Sequence, residues 1–545
     1  MSNYDYVEVP KPKESGFDLS YPNKFTMDFG DMVPCFSQEV LPGDEFKVNS
    51  QFMVRMAPLA NPIFTKINAQ IHYFFVPNRL LWDGGKDNDW QSFITGGKDG
   101  TLTPTPPYML LSDIASLSKT NTDLNAANDR GAQTLADYLG VPFTPNSDGS
   151  IPESWSSIKV NMLPFLAYQK IYDDWFRDAN VTNSLFDSYE SPWLYGGKIG
   201  TSEETSTLPS TLELLKLRKR SWKKDYFTSA LPWAQRGEEV HIPVGSKFSV
   251  VGSFVNGTQI VNPSSALLIG VNSNTTGVVA QVKAASADGI QLNPLSLGTI
   301  RDLRNASALQ LWLEKNAVGG ARYIEQLLAH FGVYSDDARM QRAEYLGSAK
   351  SPIVISEIQQ TSETTADSPL GKLGGKGIGY GNDFVFKDTF KEHGWIIGIM
   401  TIMPEATYAQ GIHRSLTHRM SKLDYAFPEF AELGLQEIDN SEIYLGDGTE
   451  ATDTFGYNDR YAEYKSNYGQ VHGFFKDENE TLAQYNMTRF YGTTPELSSN
   501  FLEVNESQIT SPFVDTDENR GNLWVDLWND VKAVRPLPKN SLPLF

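Results

Sequence analysis

The chain has 545 residues, 40% of them hydrophobic, and a formal net charge of −20 with a sequence pI near 4.9. So acidic a polypeptide repels polyanions, which excludes generic nucleic-acid binding unless a local basic patch or a basic partner supplies cations. Its single cysteine, Cys35, excludes an intramolecular disulfide and a thiolate zinc cage, and reads as a small apolar strand residue.

Residues 1–13 are polar and charged with no apolar core, unlike a signal peptide. An extended segment is predicted over 24–33. Phe46, Val48, Phe52, Val54 and Met56 then alternate with mostly polar neighbours, and Ile67, Ala69, Ile71, Tyr73 and Phe75 do the same. A two-residue period puts one face of a strand in a core and the other outside it. Pro42-Gly43-Asp44 and residues 58–62 supply turns between these runs, which points to the edge of a sandwich or barrel.

Residues 83–157 are rich in Gly, Asp, Thr, Asn and Pro and read as an elaborated surface loop, with a short helix near Leu135–Tyr138. An amphipathic helix is predicted over 160–178, where Phe165, Tyr168, Ile171, Tyr172, Trp175 and Phe176 recur at helical spacing, a pattern of core packing. Residues 241–300 hold only Lys247, Lys283 and Asp288 as formal charges and read as a small β-rich insertion. Such an uncharged surface can pack against copies of itself. A second helix is predicted over 301–331, broken at Gly319-Gly320.

Further strands are predicted at 353–357, 383–386, 395–403 and 471–475, with a mobile glycine-rich loop at 371–381. The most apolar stretch, 394–404, is far shorter than the ~20 residues of a membrane-spanning helix and reads as a buried strand. The tail over 534–545 carries three prolines and suits an extended strap on a neighbour. No internal repeat or heptad run is visible.

Candidate chemistry is sparse. The run GKLGGKGIGYG lacks the Gly-Lys-Ser/Thr spacing of a phosphate loop. Asp515, Asp517, Asn519 and Asp526 approach a calcium loop, but Arg520 stands where the sharp turn needs Gly, so a hydrated acidic loop is expected. His413 and His418 miss the zinc-protease spacing, His72 and His393 are expected in strands, and the adjacent Asp173 and Asp174 point about 100° apart on a helix. No catalytic set, metal site or cofactor site is expected. The strongest functional candidate is basic: Lys216, Arg218, Lys219, Arg220, Lys223 and Lys224 interleave with Trp222 and Tyr226. Cations attract phosphates, and exposed rings stack bases at ~1–3 kcal/mol each. The competing reading is a solvated basic turn or a subunit salt-bridge site.

Several ordered segments resemble one family. They include Glu39-Val-Leu-Pro-Gly-Asp44, His72-Tyr-Phe-Phe-Val-Pro-Asn-Arg79, Trp175-Phe-Arg-Asp178, Asp225-Tyr-Phe-Thr-Ser-Ala-Leu-Pro232, Leu311-Trp-Leu-Glu-Lys-Asn316, Arg342-Ala-Glu-Tyr-Leu-Gly347 and Pro352-Ile-Val-Ile-Ser-Glu357. His393-Gly, Tyr408-Ala-Gln-Gly411 and Tyr461-Ala-Glu-Tyr464 follow in order. Together they resemble the major capsid proteins of the Microviridae, specifically the gokushovirus-type branch. The resemblance implies a mainly β fold, a single eight-stranded antiparallel jelly roll of viral capsid type with long loop insertions and a few α-helices. It implies a T=1 icosahedral shell around a circular single-stranded DNA phage genome, assembled in the host bacterial cytoplasm, with residues 241–300 as a threefold protrusion able to meet a host-cell receptor. The implied partners are further copies of the chain, the genome, a small basic DNA-binding protein, an internal scaffolding protein and a pilot protein, with no membrane. It implies no catalytic residues. The rival class is a secreted or surface β-sandwich glycan-binding protein or glycoside hydrolase. The 24 Tyr and 11 Trp would suit sugars, but no carboxylate pair stands out for the ~5–5.5 Å separation of a retaining hydrolase.

Overall fold

The computed structural model describes residues 13–120, 131–141, 150–186, 196–199, 211–238, 240, 260–261, 267–274, 277–284, 300–320, 322–359, 361, 373–446, 452–477, 481–505, 509, 511–514 and 521–540. Nine strands share one hydrogen-bonded network: β1 (Ser15–Asp18), β2 (Tyr21–Met27), β3 (Val33–Val40), β4 (Glu45–Met56), β5 (Ile67–Pro77), β6 (Glu344–Gln359), β7 (Leu373–Thr389), β8 (Gly394–Pro404) and β9 (Leu523–Arg535). Their order is β1-β9-β4-β7-β6-β5-β8-β3, with β2 also on β9. β1 pairs with residues 532–535 of β9 and β2 with residues 523–529, so these two short strands share one edge position. Nine strands therefore fill eight positions.

The pairing is nested. β1 and β2 pair with β9, β3 with β8, β4 with β7 and β5 with β6, all antiparallel. A long hairpin rolled upon itself gives this order, and the contacts β4–β9 and β5–β8 join its turns. This is the jelly-roll solution to the problem of exposed sheet edges. β6 and β7 bridge the two halves, because their far ends pair with each other at residues 353–359 and 373–379.

β4 buries every second residue, among them Phe46, Val48, Phe52 and Val54. Together with Ile67, Ile71 and Tyr73 of β5 and Leu523, Leu527 and Val531 of β9 they form the main core. At ~1.5–3 kcal/mol per large apolar side chain, this cluster is the chief favourable contribution to the roll. A second core covers the outside of β5 and β8, where Phe74, Val76, Ile397 and Ile399 meet the helix α1 (Leu163–Ile171) and the segments around Trp82 and Leu135. That sheet is buried on both faces, which explains why β8 reads as an unbroken apolar run. The helix expected over 160–178 is α1 followed by a π-turn, Tyr172–Phe176. The short helix Leu135–Tyr138 forms, capped by Thr134. A third cluster joins Tyr226 and Phe227 to Tyr408, Ile438, Ile443 and Phe501.

The chain divides into two compact units, residues 1–234 with 319–545, and residues 235–318. The second contains a three-stranded antiparallel sheet, Ile260–Val261, Leu267–Asn274 and Gly277–Ala284, and the helix α2 begins there (Ile300–Gly319). In the first unit α3 follows (Tyr323–Phe331), so the expected break at Gly319-Gly320 is present.

Three local expectations are corrected. Residues 373–381 of the glycine-rich stretch are strand, the first half of β7, not a mobile loop; residues 371 and 372 lie outside the described residues. Gly375, Gly377, Gly379 and Gly381 alternate on its inner face, where side chains of Leu59, Met56, Ile353 and Phe52 occupy the space a Cβ would take. The strand expected at 471–475 is irregular chain with a 3₁₀ turn at Gly473–Lys476. β9 is a strand where the sequence reading places none, although Leu523, Val525, Leu527, Val531 and Ala533 alternate inward along it. Most of the expected acidic loop, 515–520, lies outside the described residues, but its closing acid, Asp526, is a residue of β9 facing Lys24 at 3.9 Å. The end of the tail, 541–545, also lies outside them.

The glycine face yields a prediction. Gly381→Ala drives a methyl into the rigid, fully buried Phe52 ring and should destabilise the unit by ~1–3 kcal/mol. Gly377→Ala meets the Sδ, Cγ and Cβ of Met56, an unbranched side chain that can change rotamer, and should cost less. Thermal melts of the two variants measure the order.

Candidate nucleic-acid segment and assembly surface

The basic segment follows a short helix, Thr211–Leu215, and is hydrogen-bonded along both sides. Met32 N–H donates to the Arg218 carbonyl at 2.9 Å and Arg220 N–H to that of Gly30 at 2.7 Å. On the other side Trp222 N–H donates to the Leu502 carbonyl at 2.8 Å, and Val504 N–H to that of Arg220 at 2.9 Å. Gly30 has φ +79°, and a Cβ there would overlap Val504, so this crossing admits only glycine.

The side chains follow the backbone inward. Arg218 donates to Gln169 Oε1 at 2.7 Å, to Glu213 Oε2 at 2.8 Å and to the Glu213 carbonyl at 2.9 Å, and its guanidinium lies 4.9 Å from the Tyr172 ring centroid. Lys219 reaches the buried carboxylate of Asp31 at 2.6 Å. Arg220 donates to Gln70 at 3.0 Å and Thr401 at 2.7 Å, and faces His72 Nε2 at 3.3 Å. Trp222 is 3% exposed and stacks against the guanidinium of Arg489, itself wholly buried. Tyr226 donates to Glu442 at 2.8 Å. Lys224 pairs with Asp178 at 2.9 Å and Lys216 approaches Glu213 at 3.8 Å, while Lys223 is exposed. All seven candidate residues thus lie on one segment, but Arg218, Arg220 and Trp222 face the interior. A buried indole presents no face to a base, and a cation satisfied by a carboxylate of its own subunit has little left for a phosphate. The arrangement is a stitch between three cores. Sequence inspection missed the partners that make it so, Asp31, Glu213, Gln169 and Arg489, because most of them lie far off in the chain.

Burial pushes the His72 imidazole down to about 4, with the neighbouring Arg220 cation adding to the effect. Cys35 is buried in the main core, where burial pushes its thiol up to about 12, so it is inert packing. His393 ends up just outside β8, against Trp90. His418 lies 3.1 Å from Asp439, close to Glu442. Glu442 already accepts from Arg414 at 2.6 Å, so a guanidinium supplies the positive charge that a metal ion would bring to this trio. Asp173 and Asp174 pair with Arg177 at 2.7 Å and Lys170 at 2.9 Å, which is structural use of both acids.

Exposed apolar groups gather, among other places, on α3 and after residue 413. α3 presents Tyr323, Leu328 and Phe331 to solvent, continued by Val333 and Tyr334. The irregular segment after residue 413 presents Leu416, Met420, Leu423 and Leu433. Runs of this kind mark surfaces that fit another molecule.

Two measurements test the stitch. Lys219→Ala leaves the buried Asp31 carboxylate without its ammonium and should cost ~3–5 kcal/mol of unfolding free energy, whereas Lys223→Ala, at an exposed site, should stay within about 0.5 kcal/mol. Unfolded His72 titrates near 6.5 and the folded residue near 4, so between these values the unfolded chain holds the extra proton. The His72 contribution is therefore complete above about pH 6.5 and is lost as the pH falls towards about 4. His72→Gln, which keeps an acceptor for Arg220 but cannot titrate there, should gain stability relative to the unmodified chain as melts are moved across that window.

The chain matches the family described as "Capsid protein (F protein)" over residues 7–545. It is 30% identical over 565 aligned residues to "Capsid protein VP1" of Bdellovibrio phage phiMH2K, covering 99% of this chain and 98% of that one. It is 31% identical to "Capsid protein VP1" of Chlamydia phage 1, covering 99% and 97%, and 28% identical to "Capsid protein VP1" of Spiroplasma virus 4, covering 98% and 95%. Together with the nested jelly roll, the inward-facing basic segment and the exposed apolar surfaces, these matches decide the class of protein: the chain belongs to the phage F-type capsid protein family, a structural component of the virion and not an enzyme.

Proposed function

We propose that this chain is the repeating subunit of a T=1 icosahedral shell enclosing a circular single-stranded DNA phage genome of gokushovirus type. The observation that carries this is the end-to-end match to phage capsid proteins, 95–98% of whose length is covered, on a nested antiparallel roll. The exposed apolar groups of α3 and of residues 416–433 suit contacts between copies, and a closed shell buries them without an external partner. Residues 235–318, a separate compact unit with its own small sheet, form the threefold protrusion and the surface that meets a host receptor. Because the chain carries −20 charges, a small basic DNA-binding protein shares the neutralisation of the genome, and internal scaffolding and pilot proteins complete the particle in the host bacterial cytoplasm.

Negative-stain microscopy of the purified chain, with scaffolding protein supplied, tests the reading. Uniform small closed shells are expected; a monomer that hydrolyses polysaccharide would overturn it. Leu416→Glu combined with Met420→Glu should abolish shells while shifting the unfolding free energy of the subunit by no more than about 0.5 kcal/mol, since both side chains are largely exposed.

A further inference from the structure

The two halves of the roll differ in what covers them. The outside of β5 and β8 is buried under α1 and its neighbours, while the outside of β2, β9, β4 and β7 is open in the subunit. We propose that this open sheet face is the platform on which the shell binds single-stranded DNA, in place of the basic segment at 216–224. The proposal rests on the reading of the chain as a shell around such a genome.

Strand register sets the residues of this face in rows. In one row Lys532 of β9 stands opposite Lys47 of β4, which stands opposite Lys387 of β7. Like charges directly opposite one another destabilise a sheet, so three adjacent lysines call for a counter-anion. Glu45 meets one outer lysine, Lys387, at 2.8 Å, and Asp18 of β1 stands opposite the other, Lys532, which leaves Lys47 in the middle with no acid opposite it. Lys47 extends over the ring of Phe384, with its ammonium 6.0 Å from the centroid, and that ring is 59% exposed. The three lysines and Phe384 line an open groove of about 590 Å³ together with Asp18 and Glu45, so that lysines outnumber acids in it.

Further along the face the exposed side chains are Tyr380, Trp524 and Trp528, with Arg55 opposite Trp524 in register. Of the acids nearby, Asp526 faces Lys24 at 3.9 Å, while Asp530 accepts from the neutral Asn49 amide at 2.8 Å and keeps its charge. Rings on a flat sheet with cations between them are what single-stranded nucleic acid requires, since the bases stack on the rings and the cations track the phosphates. A second copy of the protein fits this face less well. Lysine is depleted at protein interfaces, and burying a row whose central member, Lys47, has lysines opposite it on both sides is unfavourable.

The test uses the full-length chain. Fluorescence anisotropy with a labelled oligothymidylate should report salt-dependent binding. Lys47→Ala with Lys532→Ala should reduce the slope of log K against log salt by about 1.4, or ~0.7 for each phosphate no longer neutralised. Phe384→Ala should weaken binding roughly tenfold through loss of a stacking surface. Oligothymidylate, but not inorganic polyphosphate, should quench a fluorescence component that disappears in the Trp524→Phe, Trp528→Phe chain. Every position is on the solvent side of the sheet, and melts should confirm intact folding. Assembled particles of the lysine variant should contain less DNA than unmodified ones. Unchanged affinity and slope in that variant, or closed particles with full DNA content, would overturn the platform. Loss of shell closure with oligonucleotide binding unaltered would also overturn it and assign the face to contact between copies. Failure of the unmodified chain to form shells would count against the capsid reading alone, because the anisotropy measurement decides the platform independently.

Discussion

β9 is the strand on which the rest of the roll depends. It lies between β1 and β2 on one side and β4 on the other, and its inner residues complete the main core. Without it, both neighbours would carry unpaired backbone groups beside an opened core, and buried backbone polar groups do not tolerate that. Its partners β1 and β2 lie about five hundred residues earlier, so completing the sheet requires the two ends of the chain to come together. Loop-closure entropy rises only slowly with length, which makes so long a closure tolerable thermodynamically. The same non-local pairing makes folding slow and leaves strand edges open during it.

Closure also explains where insertions are accepted. Between β5 and β6 the chain leaves the roll for over two hundred residues, and this excursion contains α1, the basic segment and the second compact unit. The part that returns to cover β5 and β8 is apolar, and it converts a one-sided sheet into one buried on both faces. The basic segment then crosses from that cover to the third cluster, with Arg218, Lys219 and Arg220 satisfied by acids and amides of the same subunit. Buried cations with good partners are costly to disrupt, so this crossing adds specificity to the packing more than net stability.

The surface left over divides by chemistry. Exposed apolar groups on α3 and around Leu416 and Met420 suit contact between identical copies. The open sheet, with lysines in register and rings between them, suits a polyanion with bases. A chain of −20 net charge can hold such a face because alternation sends β4 and β7 cations to one side while their apolar neighbours and glycines fill the other.

How much of the molecule is legible in its sequence follows from the range of the interactions. Period-two alternation locates β4 and β5, helical spacing locates α1, and the unbroken apolar run locates β8, because each pattern is local. The composition of 241–300 marks an insertion, and the ordered short motifs point to the capsid family. Alternating glycines hide the inward face of β7, since a side chain absent from one strand can be supplied by Met56 or Phe52 of another. β9 is hidden because acids alternate with its apolar residues, a pattern that resembles a loop until Lys24 and Asn49 stand beside them. The basic segment shows its charges plainly but not their partners, which are hundreds of residues away in several cases. Sequence by itself thus determined the β class and the family. Only tertiary structure decided which cations are spent inside the subunit and which remain on its surface, because that depends on which distant acids the rolled sheet brings within hydrogen-bonding reach.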